Sequence, residues 1–449
     1  MNSRHTVSRR TFVKKSVGAA AGLGLWGTTQ SWAGANDRVR VAVVGTRGHG
    51  FGSHIKNYPF LPNVEVAAIC DVDENLFAER LRWFEQNDKP VPKTYVDIRR
   101  LLEDKSIDAI SVATPNHWHA LAGVWACQAG KHAHIEKPFT HNVFEGQKLI
   151  EAARKYRRIV HHGTETRSSK AHQEAMEFMR NGGLGEVYLA KGMCYKWRNT
   201  IGRTPEERVP EGVHYDLWLG PAPKRPFSRN RFHYNWHWHW DYGNGDIGNQ
   251  GVHEMDVARW GLGVTLPTKV SSMGAHVMFD DDQETPNVQM AMFEFPNPQG
   301  GGDKKKILQF EVRHWITNYE GGLGDPPGNN IGNVFYGSEG YMVMTHRGWQ
   351  TFMGRKREPG PSGQVQGNTD RTHYQNFIDA IRANDPSILN GNVEQGHYSC
   401  SLIHLANTSY RLGRSLDFDP RTQRYVNDDE ANKMLTRNYR SPFVVPQRV

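Results

Sequence analysis

Close cysteine pairs and long apolar runs are both missing from this 449-residue chain. Its four cysteines stand alone at positions 70, 127, 194 and 400. Cys70 and Cys127 fall in apolar segments and read as small core residues, so no disulfide framework is expected. No stretch reaches the roughly 20 apolar residues that a bilayer-spanning helix requires, so no integral membrane segment is expected in the mature chain. Positive charge is present, but not in the form a nucleic acid needs. Five of the net +8 charges come from Arg4, Arg9, Arg10, Lys14 and Lys15, in a stretch of 35 residues without an acid. Beyond it only Lys304-Lys305-Lys306 clusters, after a glycine-rich turn, and it reads as a solvated hairpin tip. A nucleic-acid binder concentrates basic residues on one face, so nucleic-acid partners are excluded.

What is present begins with an export signature. Ser8-Arg9-Arg10-Thr11-Phe12-Val13-Lys14 has the twin-arginine form, a weakly apolar stretch follows from Val17 to Trp26, and Ala33-Gly34-Ala35 offers small residues for cleavage. Residues 1–35 are therefore expected to direct export by the twin-arginine route to the periplasm. Outside the cytoplasm no cofactor pool is replenished, so any dissociable cofactor would have to stay bound. The remaining length exceeds what one hydrophobic core usually supports, so two domains are expected, 36–160 and 161–449.

The first domain alternates short β-branched runs with helical stretches. Strands are expected at Val39 to Val44, Val64 to Ile69, Ala109 to Ala113, Ala133 to Ile135 and Ile159 to His162, with helices at Glu74 to Gln86, His119 to Ala129 and Val143 to Tyr156. This rhythm predicts parallel βαβ units in a doubly wound, Rossmann-type sheet. After residue 160 the strands lengthen and alternate polar with apolar residues: Val187 to Tyr195, Lys269 to Met278, Val288 to Phe295, Ile307 to Trp315 and Val334 to Tyr336. That pattern predicts an α/β domain with a large, mainly antiparallel open sheet covered on one face. Helices are expected at Lys170 to Arg180, Gly248 to Trp260, Thr372 to Arg382 and Gln395 to Leu412.

Gly45-Thr46-Arg47-Gly48-His49-Gly50 follows the first strand and opens a helix, the setting in which backbone N–H groups receive a pyrophosphate. The match to G-x-G-x-x-G is incomplete, because Arg47 holds the middle glycine position and Gly48 comes one place later. Asp71 ends the second strand, where a carboxylate bonds adenosine ribose hydroxyls and repels a 2′-phosphate. NAD is therefore expected ahead of NADP. Thr114-Pro115-Asn116-His117-Trp118-His119 and Glu136-Lys137-Pro138 end the next two strands, where ligands of open α/β sheets collect. Thr114, Pro115, Asn116, His119, Glu136 and Lys137 join Gly45, Arg47, Gly48, Gly50 and Asp71 as candidate cofactor contacts.

With Gly130-Lys131-His132 ahead of Glu136-Lys137-Pro138, with Gly163 and Arg167, with the turn Gly182 to Val187, and with the segment Gly243 to Gly263, the chain resembles the Gfo/Idh/MocA family over roughly residues 38 to 420. That family is named for glucose-fructose oxidoreductase and inositol dehydrogenase. The resemblance implies a Rossmann domain followed by an α/β domain whose open sheet often joins subunits into homo-oligomers. It also implies that Lys137 touches substrate and nicotinamide, and that His253 is the family histidine. Oxidising an alcohol removes a hydride from carbon and a proton from oxygen, and imidazole titrates where a base is useful. Lys137 can hold the substrate oxygen, or act as a base if burial lowers its pKa. Asn249 stands where the family often has aspartate. It can hydrogen-bond a hydroxyl but cannot carry a proton, and Asp256, on the same helix face, is the alternative partner for His253.

Phe232 to Tyr242 alternates aromatics with histidines and reads as a strand with Trp236, Trp238 and Trp240 on one face and His237 and His239 on the other. Indoles stack on sugar C–H faces, so these three join Arg167 as candidate substrate contacts, while packing against a neighbouring strand or subunit remains open for them. No recognised metal-ligand spacing accompanies the histidines, and no metal is expected; His397 and His404 read as structural. The leading expectation is an NAD-dependent oxidoreductase of a sugar, glycoside or polyol. An NAD-dependent, redox-neutral glycosidase and a non-catalytic carbohydrate-binding protein on the same fold are the alternatives.

Overall fold

The β-branched runs of the first domain form one parallel sheet. Its strands are β1 (Val39–Val44), β2 (Val64–Cys70), β3 (Lys93–Tyr95), β4 (Ala109–Val112), β5 (His132–Glu136) and β6 (Val160–Gly163), in the order β3-β2-β1-β4-β5-β6. The computed structural model describes residues 38–297, 304–315, 320 and 328–449. The expected export signal lies outside the described residues. Val41, Ala42 and Val43 are fully buried because helices cover both faces, as a parallel sheet requires. The helix expected from His119 starts earlier, at Asn116, because Pro115 supplies a fixed φ of −59° at its N-cap. The helix expected from Glu74 opens as a single 3-10 turn, Glu74–Leu76, before the α-helix Phe77–Gln86.

The second sheet has ten strands. They are β7 (Val187–Tyr195), β8 (Lys269–Ala275), β9 (Val288–Pro296), β10 (Lys305–Arg313), β11 (Asn330–Gly337), β12 (Gly340–Thr345), β13 (Gly348–Met353), β14 (Glu358–Gln364), β15 (Leu416–Asp419) and β16 (Arg424–Tyr425). Their order is β14-β13-β12-β11-β7-β10-β9-β8-β15-β16, antiparallel throughout except for the central β7–β10 pair. Alternation along β9 shows why one face is covered: Ala291, Phe293 and Phe295 are buried, while Met290 and Met292 face outward. The covering helices are Gly251–Leu262 and Val393–Leu412, which pack on β7 and β8 respectively. Between these two, the helix Thr369–Ala383 returns to the first sheet, where Tyr374, Phe377 and Ile378 share a core with Val41, Val43 and Tyr58. Among the described residues no helix is long and apolar enough to cross a membrane.

Candidate functional site

The carboxyl ends of β1, β2, β4 and β5 open onto a cavity of about 420 Å³. Gly45 turns the chain at φ +84°, and a side chain at Gly50 would lie 1.9 Å from the Gly45 carbonyl, so both glycines are needed to close the turn. Gly50 thus sits beneath the turn, whereas Gly45, Arg47 and Gly48 line the cavity. Gly48 has no heavy atom within 4 Å of where a Cβ would stand, which leaves room for a phosphate to approach the backbone. Asp71 is tied into the same turn. Thr46 donates its N–H at 2.7 Å and its hydroxyl at 3.1 Å to one carboxylate oxygen, and the Asp73 N–H donates at 3.0 Å to the other. Burial raises the Asp71 pKa from its usual value. Asp71 is therefore both a cap of the turn and part of the cavity wall.

Thr114, Pro115, Asn116 and His119 also line the cavity, with Glu136 and Lys137 beside them. The His119 ring nitrogens lie 2.7 Å from the carbonyl oxygens of both Thr114 and Pro138, fastening one strand end to the next. Lys137 Nζ donates to the Asn249 carbonyl at 2.9 Å, joining the Rossmann strand end to the helical segment of the second domain. His253 lines the same cavity, its side chain 14 % exposed and its Nδ1 3.6 Å from Glu165 Oε2. Burial, reinforced by the Lys137 charge, holds the His253 imidazole well below the usual histidine range. The ring is neutral at neutral pH and can accept a proton. Glu165 shows the opposite shift: withdrawal from water, then the charges of Asp370 and Glu136, push its carboxyl up to about 7.

The residues of the first sheet match the model described as the oxidoreductase family, NAD-binding Rossmann fold, over residues 39–164, and the second domain matches that family's C-terminal alpha/beta domain over 179–296 and 363–445. The chain belongs to this oxidoreductase family. Its nucleotide domain is of the NAD-binding type, and the glycine turn with open space above Gly48 fits that cofactor. The chain is 32% identical over 121 residues to a glycosyl hydrolase family 109 protein of Shewanella pealeana, covering 26% of each chain. It is 26% identical over 206 residues to another of Shewanella putrefaciens, covering 41% of this chain and 45% of that one. The match thus spans less than half the length of these relatives. In fold, the chain is similar to aldose-aldose oxidoreductase from Caulobacter crescentus complexed with glycerol, with a TM-score of 0.64 and 17% identity over 85% of this chain and 100% of that one. It is also similar to levoglucosan dehydrogenase in complex with NADH, with a TM-score of 0.63 and 17% identity over 85% and 99% of the two chains.

Not every residue expected at the family site reaches it. Asp256 does not orient His253. It is fully buried in a bidentate pair with Arg167, Nε to Oδ2 at 2.8 Å and Nη2 to Oδ1 at 2.9 Å, and the Ser399 hydroxyl also donates to it. The expected helix from Gly248 divides into Asp246–Asn249 and Gly251–Leu262, so the face joining Asn249, His253 and Asp256 is interrupted. Arg167 is accordingly occupied away from the cavity, with its guanidinium 5.0 Å over the Trp260 ring. Asn249 reaches the cavity wall, but its side-chain amide donates to Asp246 at 3.0 Å. The segment Phe232 to Tyr242 is not a strand. A 3-10 turn, Asn235–Trp238, breaks the two-residue alternation, so the three indoles part company. Trp236 lines the cavity, stacked on His237 at 3.6 Å. Trp238 packs on His314 and beneath the Arg198 guanidinium, and Trp240 on Tyr410 and Arg411.

Sequence reasoning missed Glu165, His49, Tyr234 and His237, all on the cavity wall. Glu165 had a usable signal: it follows the carboxyl end of β6, and the rule applied to β4 and β5 reaches it equally.

Proposed function

We propose that this protein is an exported NAD-dependent oxidoreductase of a sugar, glycoside or polyol, with His253 and Lys137 handling the hydroxyl proton. The observation that carries this reading is that Lys137, His253 and the glycine turn line one cavity although they come from two domains. Bound NAD supplies the hydride acceptor. The Lys137 ammonium, held by the Asn249 carbonyl, is placed to donate a hydrogen bond to the substrate oxygen and stabilise its developing negative charge. The neutral His253 takes the hydroxyl proton, and Glu165 stabilises the imidazolium that results. Trp236, His237 and Tyr234 offer a wall of rings for a polyol's C–H face. A carboxylate at Asp71 favours NAD over NADP.

The likeness to glycosyl hydrolase family 109 proteins favours a second reading, redox-neutral glycoside cleavage. Transient oxidation acidifies a neighbouring C–H, a base removes that proton, the aglycone leaves with a proton from an acid, water adds across the resulting C=C bond, and the hydride returns to the ketone. Glu165, with its carboxyl near 7, has the pKa an acid in that role needs. Two further elements belong to the proposal. The outward methionines Met273, Met290 and Met292 make the open sheet face an apolar surface for a second copy of the chain. The arginine-rich N-terminus directs export, and the cofactor travels bound.

The test is incubation of cofactor-loaded protein with a panel of sugars and glycosides. Ketosugar with reduced nicotinamide supports oxidation, and free aglycone with unchanged cofactor supports cleavage. Binding without turnover overturns both. Protein recovered from the periplasm without nucleotide contradicts the retained cofactor.

A further inference from the structure

Beneath the glycine turn, three imidazoles converge on one carboxylate oxygen. Glu136 Oε1 lies 3.2 Å from His49 Nε2, 3.1 Å from His54 Nε2 and 3.6 Å from His134 Nε2. His54 and His134 are fully buried, Glu136 is 7% exposed, and His49 stands at the cavity. The groups come from two places in the chain: the helical turn after β1 supplies His49 and His54, and β5 supplies His134 and Glu136.

Hydrogen bonding alone leaves this cluster unbalanced. A neutral imidazole has one N–H. Ser111 Oγ donates to the Tyr58 hydroxyl at 3.1 Å and lies 2.8 Å from His54 Nδ1, so one nitrogen of His54 meets a hydroxyl and the other the carboxylate. His134 is the member left unbalanced. Its Nδ1 meets His161 Nδ1 at 3.1 Å, and its buried Nε2 has no hydrogen-bond partner at all. A buried imidazole nitrogen without a partner is costly unless another group, such as a cation, satisfies it.

The spacing suits such a centre. With metal–nitrogen and metal–oxygen bonds of about 2.0–2.1 Å in a tetrahedron, neighbouring ligand atoms stand roughly 3.3 Å apart. The ligand atoms of His49, His54 and Glu136 all lie within 4.8 Å of one another, and the orphan nitrogen of His134 faces the same oxygen. We propose that His49, His54, His134 and Glu136 form a binding site for one divalent transition-metal cation of the zinc type. Three neutral imidazoles and a carboxylate, without sulfur, suit zinc over softer ions. Ser111 and Tyr58 behind His54, and His161 behind His134, are the outer partners that fix ring orientation at such sites. The neighbouring trio of His134, His161 and His373 is a poorer centre, because His373 spends both nitrogens on the Ser168 hydroxyl at 2.6 Å and the His162 carbonyl at 2.8 Å. A cation held by His49 ties the glycine turn to β5, so metal loading orders the turn over which a dinucleotide phosphate would lie. The site stands on its own geometry and does not depend on which reaction the cavity performs.

The experiment uses the full chain without an affinity tag, stripped with a chelator and titrated with zinc or cobalt(II). The expected result is one zinc per chain by elemental analysis, a raised thermal midpoint, and the intense visible bands of tetrahedral cobalt(II). His49→Ala, at a partly exposed position, is expected to weaken zinc about tenfold or more, and His54→Gln to abolish stoichiometric loading. Absence of retained zinc, or equal binding by wild type and both variants, overturns the proposal. So does a cobalt spectrum showing only the weak bands of octahedral, water-rich coordination.

Discussion

Asp256 follows His253 in the same helix and Glu165 lies 3.6 Å from the His253 ring, and the fold treats these two carboxylates in opposite ways. Asp256 is fully buried against Arg167, with Arg259 3.7 Å away, and these guanidinium charges hold its pKa at about 2 despite the burial. Glu165, at the cavity wall, pairs with no guanidinium among the described residues; withdrawal from water, then the charges of Asp370 and Glu136, push its carboxyl up to about 7. A buried carboxylate becomes a structural anchor when a cation is built in beside it, and a titrating group when one is not. The helix Gly251–Leu262 carries both Asp256 and His253, and the His253 ring faces Glu165, the titrating group.

The largest effect expected from breaking this contrast is on His253 itself. His253→Ala is expected to lower kcat/KM by about 10²- to 10⁴-fold with little change in thermal stability, as measured on whichever substrate the panel identifies. Asp256→Ala is expected to do the reverse. Leaving Arg167 buried and unpaired costs about 3–5 kcal/mol of stability, read by denaturant unfolding. The pH dependences carry opposite signs. The Asp256 pKa is depressed in the fold, so its contribution is complete above the ordinary value of 3.8 and fades as pH falls toward 2. The Glu165 pKa is raised, so its contribution is complete below 4.5 and is lost as pH climbs through about 7. Unfolding free energies of Glu165→Gln and wild type measured from pH 4 to 8 are expected to diverge across that interval, with the variant losing less.

The same substitution sharpens the comparison kinetically. Glu165→Gln is expected to lower kcat about tenfold and to remove a limb of the pH–rate profile near 7. An unchanged profile would show that Glu165 is a bystander. The smallest effect separates the indoles: Trp236→Ala is expected to weaken substrate by about 0.5–1.5 kcal/mol, seen as a raised KM, whereas Trp240→Ala leaves KM unchanged.

Five strands of the first sheet were legible because they are short, largely buried runs, as at Val39–Val44, separated by helices, whereas β3 at the sheet edge, the exposed Lys93–Tyr95, was not. Strand β14 was not. Its sequence Glu358-Pro359-Gly360-Pro361-Ser362-Gly363-Gln364 reads as a turn, and it survives as a strand only at the sheet edge, where the missing proline N–H groups are not needed. At the site, Lys137 and His253 were legible from their motifs. The fates of Arg167 and Asp256 were not, because helical spacing shows which residues share a face and not what the fold places opposite them. The indole alternation from Trp236 to Trp240 misled for a related reason: spacing of two marks a strand only if the backbone is extended, and a 3-10 turn cancels it. The convergence of His49, His54, His134 and Glu136 was invisible because its two halves are far apart in the chain and meet only across β1, β4 and β5.

The most direct measurement is a crystal structure of the protein with NAD. The account predicts phosphates over Gly48 and the nicotinamide ring against the Lys137 ammonium and the His253 imidazole. A dinucleotide bound elsewhere, or a nicotinamide ring remote from both side chains, would contradict it.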